Sequence, residues 1–303
     1  GEKIMRAYGT TPHPNVLAGY LFLSLAALYW LFWRTGEPLT CAHVRGKRVL
    51  VAVVYPVILF GFFLTFSRTI IAVWLVAFVV WMGSLYFKRG VTRLGTPTAR
   101  NGHEHCRGEE GQDPDTSVHN RQEDGRSVVL ALAAATAVFS VLFMFMFWPQ
   151  VKSRVLISTA DEAFSQRVYF SRQALRSGDG MNWSGIGLGD FTNWLRKRQP
   201  NLPRGLYQPV HNIYLLIYAE TGILGLAAFV LFLVLLLRRC RNIPVLTLVF
   251  SVLAMGLFDH FLWTLQQGRI ALWLVLALAG AYTTMGLHES RTRQPYHGIR
   301  HQR

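Results

Sequence analysis

Apolar residues run in long, nearly unbroken stretches, at about 16–33, 49–66, 70–87, 128–148, 213–237, 245–263 and 270–285. A helix rises ~1.5 Å per residue, so the shorter stretches just cross a ~30 Å hydrocarbon core and 213–237 crosses it with tilt. Barrel strands would give shorter, alternating segments. The pattern predicts an all-α integral membrane protein, a polytopic transmembrane helix bundle of about seven spans. Three spans fall within 1–87, one at 128–148 and three within 213–285. The polar stretch 88–127 reads as a cytoplasmic linker, 149–212 as one large extracytoplasmic loop, and 286–303 as a cytoplasmic tail.

Composition agrees. Of 303 residues, 51% are hydrophobic and only 16% charged, against ~25% charged in an ordinary soluble domain. That excludes a disordered or collagen-like chain. The net charge of +15 would suit nucleic acid, but the basic residues sit between apolar runs, so no nucleic-acid partner is expected. Their placement orients the spans. Arg34, Arg45, Lys47 and Arg48 follow the first span, Arg238, Arg239 and Arg241 follow the fifth, and the linker carries seven basic and seven acidic residues. The short connections at 67–69 and 264–269 hold only Arg68 and Arg269. Basic connections lie inside, which puts the tail in the cytoplasm and the N-terminus outside. Long loops cross regardless of charge, so the nine basic residues of 149–212 do not disturb this order. An outside N-terminus beginning at Gly1 points to an odd number of spans upstream. Cys41, Cys106 and Cys240 fall at cytoplasmic positions, where thiols stay reduced. The tract His103-Glu104-His105-Cys106 reads as part of a solvated linker and not as a metal site.

The loop holds the candidate chemistry. Ser158 or Thr159 can cap a helix opening on Asp161 and Glu162. Phe164, Val168, Ser171 and Leu175 share one face of it, with Arg167 on the edge and Arg172 and Arg176 on a polar flank. Either that helix lies on the membrane surface with Arg167 reaching to headgroups, or Arg167 points into a cavity and holds an anion. Next comes Ser184-Gly185-Ile186-Gly187-Leu188-Gly189-Asp190-Phe191. Its alternate glycines make either a flexible turn or a stretch whose amides approach a ligand closely. No strand precedes it, so it is not a dinucleotide fingerprint. His211 and Asn212 stand where the loop enters the fifth span. Helix N–H groups there favour an anion, and a histidine beside one is placed for proton transfer. Arg68, in the turn Ser67-Arg68-Thr69, is a cation in a first helical turn, which lipid headgroups or a diphosphate would relieve. Glu220 is a carboxylate ~13 Å along its helix, either functional or a cap or ion-pair partner. Asp259 and His260 sit one turn from the external end of the sixth span, where Arg269 or Arg68 could meet them.

Several motifs occur in a telling order: Arg6-Ala7-Tyr8-Gly9-Thr10-Thr11-Pro12-His13-Pro14-Asn15, then Ser67-Arg68-Thr69, then Gln166-Arg167, then the glycine-rich stretch. His211-Asn212-Ile213-Tyr214 and Ala219-Glu220-Thr221-Gly222 close the series. In order and spacing they resemble the O-antigen ligase / O-antigen polymerase superfamily of bacterial membrane glycosyltransferases, over about residues 6 to 285. The resemblance implies a GT-C-like helical bundle with a large periplasmic loop in the bacterial inner membrane. It implies an undecaprenyl-diphosphate-linked glycan as donor, and lipid A core or a second lipid-linked glycan as acceptor. It implies no metal and no cofactor. Two arginines and a histidine match the family's reactive set, here Arg68, Arg167 and His211. Substrate contacts are expected at Asn212, Tyr214, Gly187, Gly189, Glu220 and Asp259. A peptidoglycan polymerase of the shape, elongation and division type is the alternative enzyme. A glycolipid transporter or flippase is the alternative of another class, though no internal repeat supports it.

Overall fold

The computed structural model describes residues 7, 9–34, 42–91, 133–155, 162–178 and 182–292. The linker 88–127 from residue 92 onward, Cys41, Cys106, the His103–Cys106 tract, the expected cap at Ser158 or Thr159 with Asp161, and the end of the tail lie outside them. Every described element is helical, and none is a strand. The chain divides into two compact units, Gly1–Ile157 and Ser158–Arg303.

The first unit holds α1 (Pro14–Arg34), α2 (Ala42–Leu64), α3 (Arg68–Val91), α4 (Ala133–Met146) and α5 (Trp148–Val155). α1 packs on α2 and α3. Phe22, Phe62 and Trp74 are fully buried, and Phe63 stacks on Phe143 of α4 at 5.2 Å between ring centroids. The polar groups point inward. Tyr29 and Tyr55 share a hydrogen bond of 2.8 Å, and Tyr55 joins Thr136 of α4. The outward residues are apolar: Val57, Val76, Val79, Val141 and Phe145 are all exposed. Mutually satisfied hydroxyls inside and aliphatic residues outside are what a hydrocarbon solvent selects.

The second unit holds α6 (Glu162–Leu175), α7 (Phe191–Arg198), a 3₁₀ turn (Arg204–Leu206), α8 (Ile213–Arg239), α9 (Ile243–Gly256), α10 (Phe261–Thr264) and α11 (Gln266–Thr292). α8 is long and apolar enough to span a membrane by length and composition. Its path corrects the expectation of one tilted helix. Gly222 has φ 71° and ψ −171°, so the helical backbone stops there and restarts. Tyr214 and Phe229 would stand ~22 Å apart along a straight helix, yet their rings approach to 6.4 Å. The bend leaves a first limb, 213–221, of ~13 Å and a second, 223–239, of ~25 Å.

The expected sixth span, 245–263, is also interrupted. α9 ends at Gly256, and Leu257–His260 turn before α10 begins at Phe261. Asp259 and His260 therefore lie in a turn and not within a helix. α6 and α7 pack on α8. Phe170, Ala174, Phe191, Leu195, Val210, Leu216 and Ala219 form a small core beneath them.

Candidate active site

The glycine-rich stretch proves to be the complement of the break in α8. The first limb ends with carbonyls that lack helical partners, and the second begins with amides that lack them. Residues 182–187 supply both. Ile186 N–H donates to Ala219 O and Gly187 N–H to Glu220 O, each at 3.0 Å. In return Ile223 N–H donates to Asn182 O at 2.9 Å and Leu224 N–H to Trp183 O at 3.4 Å. The buried Asn182 side chain adds Nδ2 bonds to Tyr218 O and Ala219 O, and its Oδ1 accepts from Gly185 N–H. The approach is so close that a Cβ on Gly185 would stand 2.1 Å from Glu220 O, and one on Gly222 would stand 2.2 Å from Trp183 O. The glycines do permit a close approach, but to the protein's own helix. The Gly187 amide is spent on Glu220 O, and Gly187 O accepts from Asp190 N–H.

Glu220 has the same origin. Its side chain is 4% exposed. The carboxylate accepts the Trp263 indole N–H at 3.2 Å and backbone hydrogen bonds from Gly189 and Phe191. It thus sits at the N-terminus of α7, where a negative charge meets the positive end of the helix. This is the capping arrangement that was one of the roles open to it in the sequence. Gly189 lies within that cap.

The first limb of α8 carries the His211 region. Val210 is fully buried. Asn212 is the N-cap, its Oδ1 accepting from Tyr214 N–H at 2.9 Å and Leu215 N–H at 3.0 Å. The cap corrects the expectation of open helix amides for an anion, since Asn212 takes those two. Tyr214 donates its hydroxyl to Leu253 O of α9 at 2.9 Å, a tie between helices. Asp259 is buried, and its Oδ1 accepts from His260 N–H at 2.8 Å and Phe261 N–H at 3.3 Å, shaping the turn into α10. His211, held between buried Val210 and the capping Asn212, meets the ring of His260 edge to face, with centroids 5.1 Å apart and planes at 74°. Sequence reading did not connect these two histidines.

Arg167 is half-buried on α6. The face that α6 buries is Phe170, Gln173, Ala174 and, just past its end, Ser177. The predicted stripe is turned away from this core: Phe164 and Leu175 are exposed. At 100° per residue, Arg167 stands between the two faces and close above Ala174.

Arg68 belongs to the first unit, where it is exposed as the first residue of α3. The turn before it is tightly built. Phe66 adopts φ 46°, left-handed for a residue with a side chain, at a cost of ~1 kcal/mol. Its ring is buried against Phe143 at 5.7 Å and Phe147 at 6.1 Å. Thr65 donates to Phe62 O at 2.7 Å. Ser67 is buried, its Oγ donates to Asn15 Oδ1 at 2.9 Å, and its carbonyl accepts from Ile71 N–H. The opening motif and the Ser-Arg turn, separate in sequence, are therefore joined through Asn15 and Ser67. His13 supports the junction, its Nδ1 accepting from Asn15 N–H.

Among the described residues no three His, Cys, Asp or Glu side chains gather as a metal site. Neither the curated proteins nor the solved structures contain a match to the chain. The sequence profile of the family described as O-antigen ligase does match, over residues 53–230, a span that includes Arg68, Arg167, the glycine-rich stretch, His211 and Glu220. This is a helical membrane protein of the ligase/polymerase type of glycosyltransferase, and the chain belongs to the O-antigen ligase family.

Proposed function

We propose that the protein transfers a glycan from undecaprenyl diphosphate to an acceptor hydroxyl at the outer face of the bacterial cytoplasmic membrane. The acceptor is either lipid A core or a second lipid-linked glycan. The observation that carries this is His211, half-buried and held by the Asn212 cap and the His260 ring, within a span the family profile matches. A polytopic bundle with 149–212 on the outer side is part of this proposal.

In the reaction, His211 takes the proton of the acceptor hydroxyl. The hydroxyl oxygen attacks the anomeric carbon, the carbon–phosphate oxygen bond breaks, and its electron pair leaves with undecaprenyl diphosphate. Attack from the side opposite the leaving group inverts the anomeric centre. Arg68 and Arg167 bind the diphosphate oxygens and offset the charge that grows on them. Planar guanidinium groups suit this task because they bind two oxygens at once. Asn212, Glu220 and the glycine-rich stretch serve by holding the limb that carries His211. Tyr214 and Asp259 hold its neighbours.

The test is an acceptor assay with the protein in membranes. A defined oligosaccharide on undecaprenyl diphosphate is supplied alone, then with lipid A core, and products are sized. A ladder from donor alone assigns a polymerase. A single transfer requiring the second acceptor assigns a ligase. Label crossing the bilayer with no new glycosidic bond would replace the enzyme reading with a transporter. Arg68→Ala, Arg167→Ala and His211→Ala should each abolish transfer at normal protein levels, and full activity in any of them would remove that residue from the mechanism.

A further inference from the structure

His211 is paired with a second imidazole whose own placement is fixed from two directions. The backbone at His260 is set by Asp259, whose Oδ1 accepts from His260 N–H and Phe261 N–H. The ring is set by Thr264, one helical turn on, with 2.8 Å between His260 Nδ1 and Thr264 Oγ1. The same hydroxyl lies 3.2 Å from His260 O, so Thr264 ties the ring to the backbone of its own residue. This ring lies 5.1 Å from that of His211, at 74°.

We infer that His260 is a positioning residue of the transferase site. Anchored by Thr264 and Asp259, its ring packs edge to face on His211 and holds that imidazole in the orientation its proton transfer requires. Asn212 and Val210 hold the backbone on either side of His211, and the His260 ring packs against its side chain. The inference rests on the proposed role of His211 as base.

The test compares His260→Ala, His260→Phe and His211→Ala in membranes holding the full chain, with donor and acceptor titrated separately. His260→Ala should lower kcat about 10- to 100-fold, since a misplaced base loses rate and not affinity, and leave KM for the donor unchanged. His260→Phe restores a ring without its nitrogens and should recover kcat to above about a tenth of wild type. A wild-type kcat in His260→Ala overturns the inference, as does a loss seen only in KM. A phenylalanine variant as inactive as the alanine one also overturns it, because a nitrogen and not the packing would then be required. If the alanine variant fails to accumulate, the phenylalanine variant decides by the same threshold. His211→Ala separates the two claims. Activity retained there removes the base itself, whereas an inactive His211→Ala beside an unaffected His260→Ala removes only the positioning role.

Discussion

Replacing Gly185 by alanine should open the seam between the glycine-rich stretch and α8. The new Cβ would lie 2.1 Å from Glu220 O, 2.3 Å from Glu220 C and 2.4 Å from Thr221 N, all backbone atoms that no rotamer can move. To reach ordinary contact the segment must retreat by more than 1 Å. The bonds Ile186 N–H to Ala219 O and Gly187 N–H to Glu220 O, both 3.0 Å, do not survive such a retreat. Each leaves a buried donor and acceptor at a cost of ~1–3 kcal/mol. Gly185 also has φ +81°, which adds ~1 kcal/mol for a residue with a side chain. The local loss is about 3–7 kcal/mol, so amides of 182–187 and 223–224 should exchange at least about a hundredfold faster. Hydrogen–deuterium exchange with peptide mass spectrometry in detergent micelles measures this directly. Gly189→Ala is the control. Its φ is +74° but nothing lies within 4 Å of its Cβ, so it should show the strain alone, less than about tenfold. Equal deprotection by the two substitutions, or none by Gly185→Ala, would refute the seam.

Other outcomes follow from the same contacts. Asn182→Ala removes a side chain bonded to Tyr218 O, Ala219 O and Gly185 N, and should destabilise the second unit by ~2 kcal/mol, read as a lower Tm. Glu220→Gln keeps an acceptor for the Trp263 indole but loses the charge at the start of α7, at ~0.5–1 kcal/mol. Glu220→Ala should cost more than twice that, and equal Tm values for the two would deny the cap. Ser67→Ala breaks the link to Asn15 at ~1 kcal/mol and should reduce transfer several-fold by loosening the turn before Arg68, with protein levels unchanged. Arg167→Lys keeps the charge without the fork, and should retain less than about a tenth of transfer activity.

The helices of the first unit were legible because nothing competes with their apolar runs. Expected spans 16–33 and 70–87 fall within α1 and α3, and 49–66 coincides with α2 up to Leu64, where the turn at Phe66 ends the helix. The break in α8 was not legible. Ala219-Glu220-Thr221-Gly222 sits in continuous apolar sequence, and the residues that satisfy its backbone lie some forty positions earlier. Periodicity reports local order and is silent on such distant partners. α6 was legible only in part. The stripe with Phe164 and Leu175, read as a face that could lie on the membrane surface, is exposed, and the helix packs through Phe170, Gln173, Ala174 and Ser177 instead. Two of these are polar, and Ser177 is satisfied only through Ala174 O and Asn182. Where lipid can cover an apolar stripe, burial in the fold no longer follows hydrophobicity. Within the site, motif order picked out His211, Glu220 and Asn212, but not that two of the three are caps. His260 stood out only as an ionisable residue beside Asp259 near the end of its span, with Arg269 or Arg68 as expected partners, because its contact with His211 depends on a ring brought to it by folding.

The seam between 182–187 and α8 has a consequence for how the protein can be divided and made. Residues 158–212 look like a removable soluble domain, bounded by apolar helices on either side. Their hydrogen bonds, however, are completed by residues 218–224, which the ribosome delivers only after them. A fragment ending at 212 would expose the donors of Ile186 and Gly187 with nothing to receive them. The smallest excised piece expected to hold its shape runs past Leu224 and so carries part of an apolar helix. During synthesis, the loop stays unfinished until residues 218–224 have followed it out of the ribosome and the helix has bent at Gly222.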